Sequence, residues 1–190
     1  MQPNIKIVMF SAPSGAGKST IIKYLMEQAG LPLEFSVSAT SRPPRGNERD
    51  GVEYYFMSSD EFRNRINAGD FVEYEMVYKD RYYGTLKSEL HRIAASGKAT
   101  VMDVDVKGAL NIKRQYGNNA LAVFVMPPDI ATLRSRLEKR GTDSAETIDE
   151  RVRKAEYEMS FASQFDKIIV NADLHVAEQH AAEVVREFLG

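Results

Sequence analysis

Apolar residues in this chain follow two rhythms that alternate. Ile5 to Phe10, Thr100 to Val104, Ala120 to Met126 and Lys167 to Val170 are short, nearly continuous apolar runs, each leading into a stretch whose apolar positions fall three and four apart. The first of these stretches, Ser19 to Gln28, carries Ile21, Ile22, Leu25 and Met26 at helical spacing; the others are Lys107 to Tyr116, Asp129 to Lys139 and Leu174 to Leu189. Strands that are apolar on both faces and separated by helices predict an α/β fold, a parallel sheet flanked by helices.

One region breaks the rhythm. From about Ser38 to Thr85 the chain is rich in Arg, Gly, Asp and Tyr, and six of its nine tyrosines (Tyr54, Tyr55, Tyr74, Tyr78, Tyr82, Tyr83) lie there. Its short runs, Val52 to Met57, Phe71 to Tyr78 and Arg81 to Thr85, predict a small, mainly antiparallel lobe around one helix starting near Ser59. A second break, Gly141 to Thr147, is small and polar between two arginine-bearing helices and has the composition of a lid. The expected organisation is a single domain over 1–190, with a core of 1–37 and 86–190, an inserted lobe over about 38–85 and a lid over about 138–150. No period of 20 to 50 residues and no low-complexity segment is present.

Composition narrows the setting. The 190 residues include no cysteine, so disulfides, thiolate metal sites and cysteine nucleophiles are excluded, and a reducing, cytoplasmic location is expected. Twenty-five basic and 27 acidic side chains give a net charge of −2, so no nucleic-acid or membrane partner is expected from global charge. No apolar run approaches the roughly 18 residues that span a bilayer. His91, His175 and His180 fall in helical stretches without metal-ligand spacing and read as surface or packing residues.

The sharpest motif follows the first strand and opens the first helix: Ala12, Pro13, Ser14, Gly15, Ala16, Gly17, Lys18, Ser19, Thr20. Its glycines let backbone N–H groups turn inward as an anion nest, and the helix N-terminus adds partial positive charge. These nine residues are the expected ATP-binding loop of a P-loop NTPase fold, with Lys18 reaching the β- and γ-phosphates and the Ser19 hydroxyl on Mg²⁺. Ala12 stands where the motif has its first glycine; its methyl is harmless if φ there is negative, which is the expectation. Asp103 and Asp105, at the end of the next apolar run, are the carboxylates available to hold magnesium through water, while Asp105 is equally suited to cap the helix that follows. The chain has no Asn-Lys-X-Asp stretch for reading guanine as GTPases do, and it is short for a mechanical ATPase, so a small kinase is favoured.

The inserted lobe supplies an acceptor side. Ser38-Ala39-Thr40-Ser41-Arg42-Pro43-Pro44-Arg45-Gly46 sets two guanidinium groups three residues apart in a proline-stiffened turn, suited to phosphate oxygens. With Gly51-Val52-Glu53-Tyr54-Tyr55-Phe56, Phe71-Val72-Glu73-Tyr74 and Tyr82-Tyr83-Gly84-Thr85, the chain resembles the guanylate kinases over essentially its whole length, as far as Ile169-Val170-Asn171. The resemblance implies that Arg42, Arg45, Tyr54 and Tyr83 grip the phosphate of GMP, and that Ser38, Glu73 and Thr85 hydrogen-bond guanine. It also implies that Asp103 lies near acceptor and metal, that Arg136, Arg140 and Arg151 close over the transferring phosphate, and that Asn171 is an adenine-side contact.

The implied reaction transfers the γ-phosphoryl group of ATP to GMP with Mg²⁺. Guanine offers two adjacent donors, which suit the Glu73 carboxylate, and a phosphate acceptor needs little help from a base, so positioning and charge carry the catalysis. Tyr55, Tyr74 and Tyr78 read as strand packing, and Arg134, Arg153 and Lys154 as a solvated face. Water would compete with GMP, so the lobe and Gly141 to Thr147 are expected to move. Two other readings stay open: a non-catalytic guanylate-kinase-like module that binds phosphopeptides, and a small P-loop kinase with a different acceptor. Either a monomer or a homodimer fits the sequence.

Overall fold

The near-continuous apolar runs form strands that are mostly buried, except Lys167–Val170, where only Ile169 is buried, and the 3.6-residue stretches form helices with one apolar stripe. A computed structural model describes residues 4–141 and 143–190. In chain order these are β1 (Ile7–Ser11), α1 (Lys18–Glu27), β2 (Leu33–Phe35), β3 (Ala39–Thr40), β4 (Tyr55–Phe56), α2 (Ser59–Asn67), β5 (Phe71–Tyr78), β6 (Arg81–Leu86), α3 (Lys87–Ala95), β7 (Ala99–Asp103), α4 (Val106–Tyr116), β8 (Ala120–Met126), α5 (Ile130–Arg140), α6 (Ala145–Met159), β9 (Lys167–Val170) and α7 (Leu174–Leu189). Five strands make one sheet in the order β2-β7-β1-β8-β9, and four make a second in the order β4-β3-β6-β5.

The chain divides into two compact units, one of Met1–Lys6 with Glu34–Thr100 and one of Ile7–Leu33 with Val101–Gly190. In the second unit β1 pairs with β8, and β8 with β9, both in parallel, and every residue of β1 is buried. Helices pack on this sheet because their stripes match it: α4 lies against β1 and β8, and α7 against β9 and α1. Leu133 and Leu137 of α5 meet Ile148, Val152 and Ala155 of α6 in a separate small core.

In the first unit β3 runs parallel to β4 and antiparallel to β6, which forms a hairpin with β5. The hairpin turns at Asp80, whose φ of +60° is a conformation that aspartate tolerates. Its core is aromatic. Phe62 from α2 stacks on Phe71 at 4.3 Å and on Tyr82 at 5.2 Å, beside Ala39 and Leu86.

Helix starts follow local chemistry. Ser58, Asp105, Asp129, Ser144 and Asp173 each accept a first-turn N–H with the side chain, at positions where the sequence places a small polar residue before the apolar stripe. Helix α6 thus begins at Ala145, inside the Gly141 to Thr147 stretch, of which Thr142 lies outside the described residues. Of helix α3 only the helical stretch around His91 was expected, without its start, and β2 and β3 were not foreseen. The N-cap of α3 is Leu86, which offers no capping side chain, and two or three residues are too few to show a period. Tyr74 and Tyr78 are 51% and 68% exposed, so they do not pack as expected, because the outer half of β5 runs beyond the aromatic core.

Candidate active site

The phosphate loop takes the shape its glycines permit. Gly15 and Gly17 have φ of +95° and +96°, and Gly17 is the left-handed N-cap residue of α1, so the first-turn N–H groups of the helix are left for an anion. Among the described non-glycine residues only Asp80 has positive φ, so Ala12 carries its methyl without strain. The loop lines a cleft of about 430 Å³ together with Lys18, Ser19, Thr20, Asp103, Asp105, Arg140, Arg151, Lys154 and Glu158.

Three contacts set the loop in place. The Asn171 side chain, 3% exposed, donates from Nδ2 to the Ala16 carbonyl at 2.7 Å and fills the space beside Gly17 that a Cβ would need. Arg136 donates to the Asn171 carbonyl at 2.9 Å, and Arg151 donates to Ser14 Oγ at 3.0 Å while pairing with Asp143 at 3.3 Å. The Lys18 ammonium pairs with the Asp103 carboxylate at the end of β7. The neighbouring carboxylate, Asp105, is committed to the N-cap of α4, accepting from Gly108 N–H at 2.6 Å.

Of the three expected arginines, Arg140 and Arg151 line the cleft, whereas Arg136 is directed to the backbone behind the loop. Lys154 also lines it while its side chain stays 75% exposed, in keeping with the solvated face read from sequence, because Arg151, Lys154 and Glu158 share one face of α6. Lys154 sits 3.8 Å from Glu158, whose carboxyl is pushed above its ordinary value by burial. Arg134 is ion-paired with Asp149 at 2.5 Å.

The other unit gathers the acceptor-side residues. Arg42 is 5% exposed; its Nε donates to Tyr83 Oη at 3.2 Å and its guanidinium lies 4.9 Å from the Tyr54 ring centroid. The Tyr54 and Tyr83 rings meet edge to face at 5.9 Å. Two short bonds, of 2.6 and 2.7 Å, join the Arg42 fork to both oxygens of Glu48, which also accepts the Arg45 backbone N–H at 2.8 Å. These bonds, the Arg42 pair first, hold the Glu48 carboxyl at about 2. The Arg45 side chain is exposed. On the adjoining strands, buried Thr85 donates from Oγ1 to Glu73 Oε1 at 2.9 Å. Ser38 precedes β3, whose Ala39 faces Gly84 in β6, the residue before Thr85.

A family model described as Guanylate kinase matches residues 4–188. The chain belongs to the guanylate kinase family. It is 59% identical over 185 residues to a guanylate kinase of Bacteroides fragilis, covering 97% of this chain and 90% of that protein. To the Porphyromonas gingivalis guanylate kinase it is 55% identical over 184 residues, covering 97% and 98%. The crystal structure of guanylate kinase from Anaplasma phagocytophilum shares the fold, with a TM-score of 0.69 at 24% identity over 98% of this chain and 87% of that one.

Within this guanylate kinase fold several residues of consequence escape sequence reading. Glu48 lies three residues after Arg45 in the same turn, and Glu158 one helical turn beyond Lys154; the spacings are visible, but nothing local marks either acid as paired rather than solvated. Glu89 is different. It is 2% exposed and bonded to Tyr55 Oη, so Tyr55 is tied down by its hydroxyl and not only by packing. No local pattern announces that contact, which spans 34 residues.

Magnesium fits this loop. Ser19 is exposed at the start of α1 and Asp103 ends β7, while among the described residues no group of three His, Asp or Glu side chains could enclose a metal ion. Such a donor set suits a cation held mainly by nucleotide phosphates and water, as Mg²⁺ commonly is.

Proposed function

We infer that this chain transfers the γ-phosphoryl group of ATP to GMP, giving ADP and GDP, with the work divided between the two groups of residues described above. One observation carries the reading: a phosphate loop with Gly15, Gly17, Lys18 and Ser19 all present lies in a chain that matches guanylate kinase over residues 4–188. The intact loop argues against a purely phosphopeptide-binding module.

The loop N–H groups and Lys18 bind the ATP phosphates. Lys18 pairs with Asp103, and the ATP phosphates would compete for its ammonium with more charge than one carboxylate carries. Ser19, with Asp103 through water, would hold Mg²⁺, which when bound neutralises charge on the β- and γ-phosphates. Arg140 and Arg151 face the cleft and are placed to stabilise the phosphoryl group as it transfers, while Arg136 acts through the Asn171 carbonyl on the loop itself.

On the acceptor side, Arg42, Arg45, Tyr54 and Tyr83 take the GMP phosphate. Ser38, Glu73 and Thr85 read the base, with the Glu73 carboxylate accepting from guanine N1–H and the exocyclic amino group. A base without that donor pair leaves buried acceptors unpaired and is rejected by about 10⁴-fold. The product GDP places the reaction in purine nucleotide metabolism, and the absence of cysteine fits a reducing cytoplasm. Among the described residues no helix is long and apolar enough to cross a membrane.

Turnover with ATP, Mg²⁺ and each nucleoside monophosphate in turn tests the assignment: GMP is expected to be the fastest acceptor, and faster turnover of AMP or UMP would overturn it. Lys18→Ala is expected to lower kcat by about 10²- to 10³-fold, with GMP affinity, measured by calorimetry, within about twofold.

A further inference from the structure

We propose that Glu89 is a positioning residue for the acceptor site, fixing the Ser38 segment and Tyr55 so that GMP, and not ATP, depends on it. The proposal deepens the assignment of GMP binding to this unit and rests on it. Among the described buried polar residues Glu89 is the one carboxylate, and a charge is retained in such a place only when it is fully bonded.

Its bonds lead into the recognition strands. Oε1 accepts from Val37 N–H at 3.0 Å and Oε2 from Tyr55 Oη at 2.8 Å, while Arg92 closes the remaining positions with two bonds of 2.9 Å. Glu34 holds the far side of Arg92 at 2.7 Å and is itself paired with Lys98 at 3.0 Å. Both recognition contacts converge on one short stretch. Val37 immediately precedes Ser38, and the backbone N–H of Tyr55 donates to the Ser38 carbonyl at 2.9 Å. Tyr54, next to Tyr55, faces the Arg42 guanidinium. Ser38 and Tyr54, one assigned to guanine and the other to its phosphate, are therefore both one residue from a group that Glu89 holds.

A role confined to stability would not select these partners. Glu89 is the third residue of α3, where an acid ordinarily serves first-turn N–H groups, yet its two oxygens bond Val37 and Tyr55 instead, 52 and 34 residues away in sequence. Burial pushes its carboxyl up, and the bonds from Arg92, Val37 N–H and Tyr55 outweigh that and hold it below its ordinary value, so it meets these donors as a carboxylate.

The test is steady-state kinetics of the full chain with both substrates varied, together with calorimetric GMP binding and thermal melting, for wild type, Glu89→Gln and Tyr55→Phe. Glutamine keeps the size of Glu89 but presents an NH₂ where donors converge. Glu89→Gln is expected to raise KM and Kd for GMP about tenfold, with KM for ATP and kcat within about twofold. Tyr55→Phe, which removes one of the bonds, is expected to raise the GMP values about threefold, and the double variant to resemble Glu89→Gln. A lowered melting temperature with GMP values unchanged would overturn the proposal, as would equal increases for GMP and ATP. Should Glu89→Gln not fold, Tyr55→Phe decides alone, and an unchanged KM for GMP in it overturns the idea. Failure of the wild-type chain to bind GMP would instead overturn the acceptor assignment on which this role depends.

Discussion

Arg42 shows how a single buried charge orders the residues around it. A guanidinium 5% exposed requires a counter-charge, and Glu48 provides one with two short bonds, so the fork is held in one orientation. The Glu48 carboxyl is thereby held at about 2, against an ordinary 4.5. A depressed carboxylate contributes stability that is fully present above about pH 4.5 and is lost as pH falls towards about 2. Glu34, Glu89, Asp129 and Glu146 are also lowered, so the informative quantity is a difference between proteins. Urea midpoints are expected to fall less steeply between pH 4.5 and pH 2 for Glu48→Gln than for wild type; equal slopes would mean that the pair adds nothing to folding. Arg42 and Arg45 could be singled out from their spacing and the prolines between them. Their partner could not, since an acidic residue in a polar turn is ordinarily solvated.

At the scale of elements, the strand, loop and helix of the proposed phosphate cradle depend on one backbone conformation. Gly17 sits at φ +96° with the Asn171 amide against its Cα, so a methyl there meets both left-handed strain and an occupied space. Gly17→Ala is expected to cost about 1–2 kcal/mol from the backbone conformation alone. ATP binding should be lost while GMP binding persists, as calorimetry with each nucleotide would show, because Asn171 must leave the Ala16 carbonyl to make room. The capped helices, whose first turns open on Ser or Asp, were readable one by one. Helix α3 follows β6 directly, with Leu86 at its cap and no glycine or proline between, and the chain there carries no local mark of the change. The Glu89 network is built on the first turn of that helix, whose start is unmarked.

For the whole molecule, the proposed function divides two nucleotides between two sets of residues, and ligand linkage should then be separable between them. A ligand at 100 times its Kd stabilises the state that binds it by about 2.7 kcal/mol. Hydrogen exchange is expected to slow at the amides of Ala12 to Thr20 when a non-hydrolysable ATP analogue is added, and at those of β3, β4 and β6 when GMP is added. Protection of only the phosphate-loop unit by GMP would contradict the division of labour. Local pattern along the chain was sufficient for the α/β class, the phosphate loop, most helices and the cluster of arginines and tyrosines in the inserted lobe, because periodicity, capping and glycine content act over a few residues. Tertiary structure alone decided that Asn171 and Arg136 brace the loop, that Lys154 and Glu158 turn onto the cleft, and that Glu48 and Glu89 hold the acceptor residues. Those outcomes depend on where burial removes water from a charge and which distant donor is then within reach, and neither is set by neighbours in sequence.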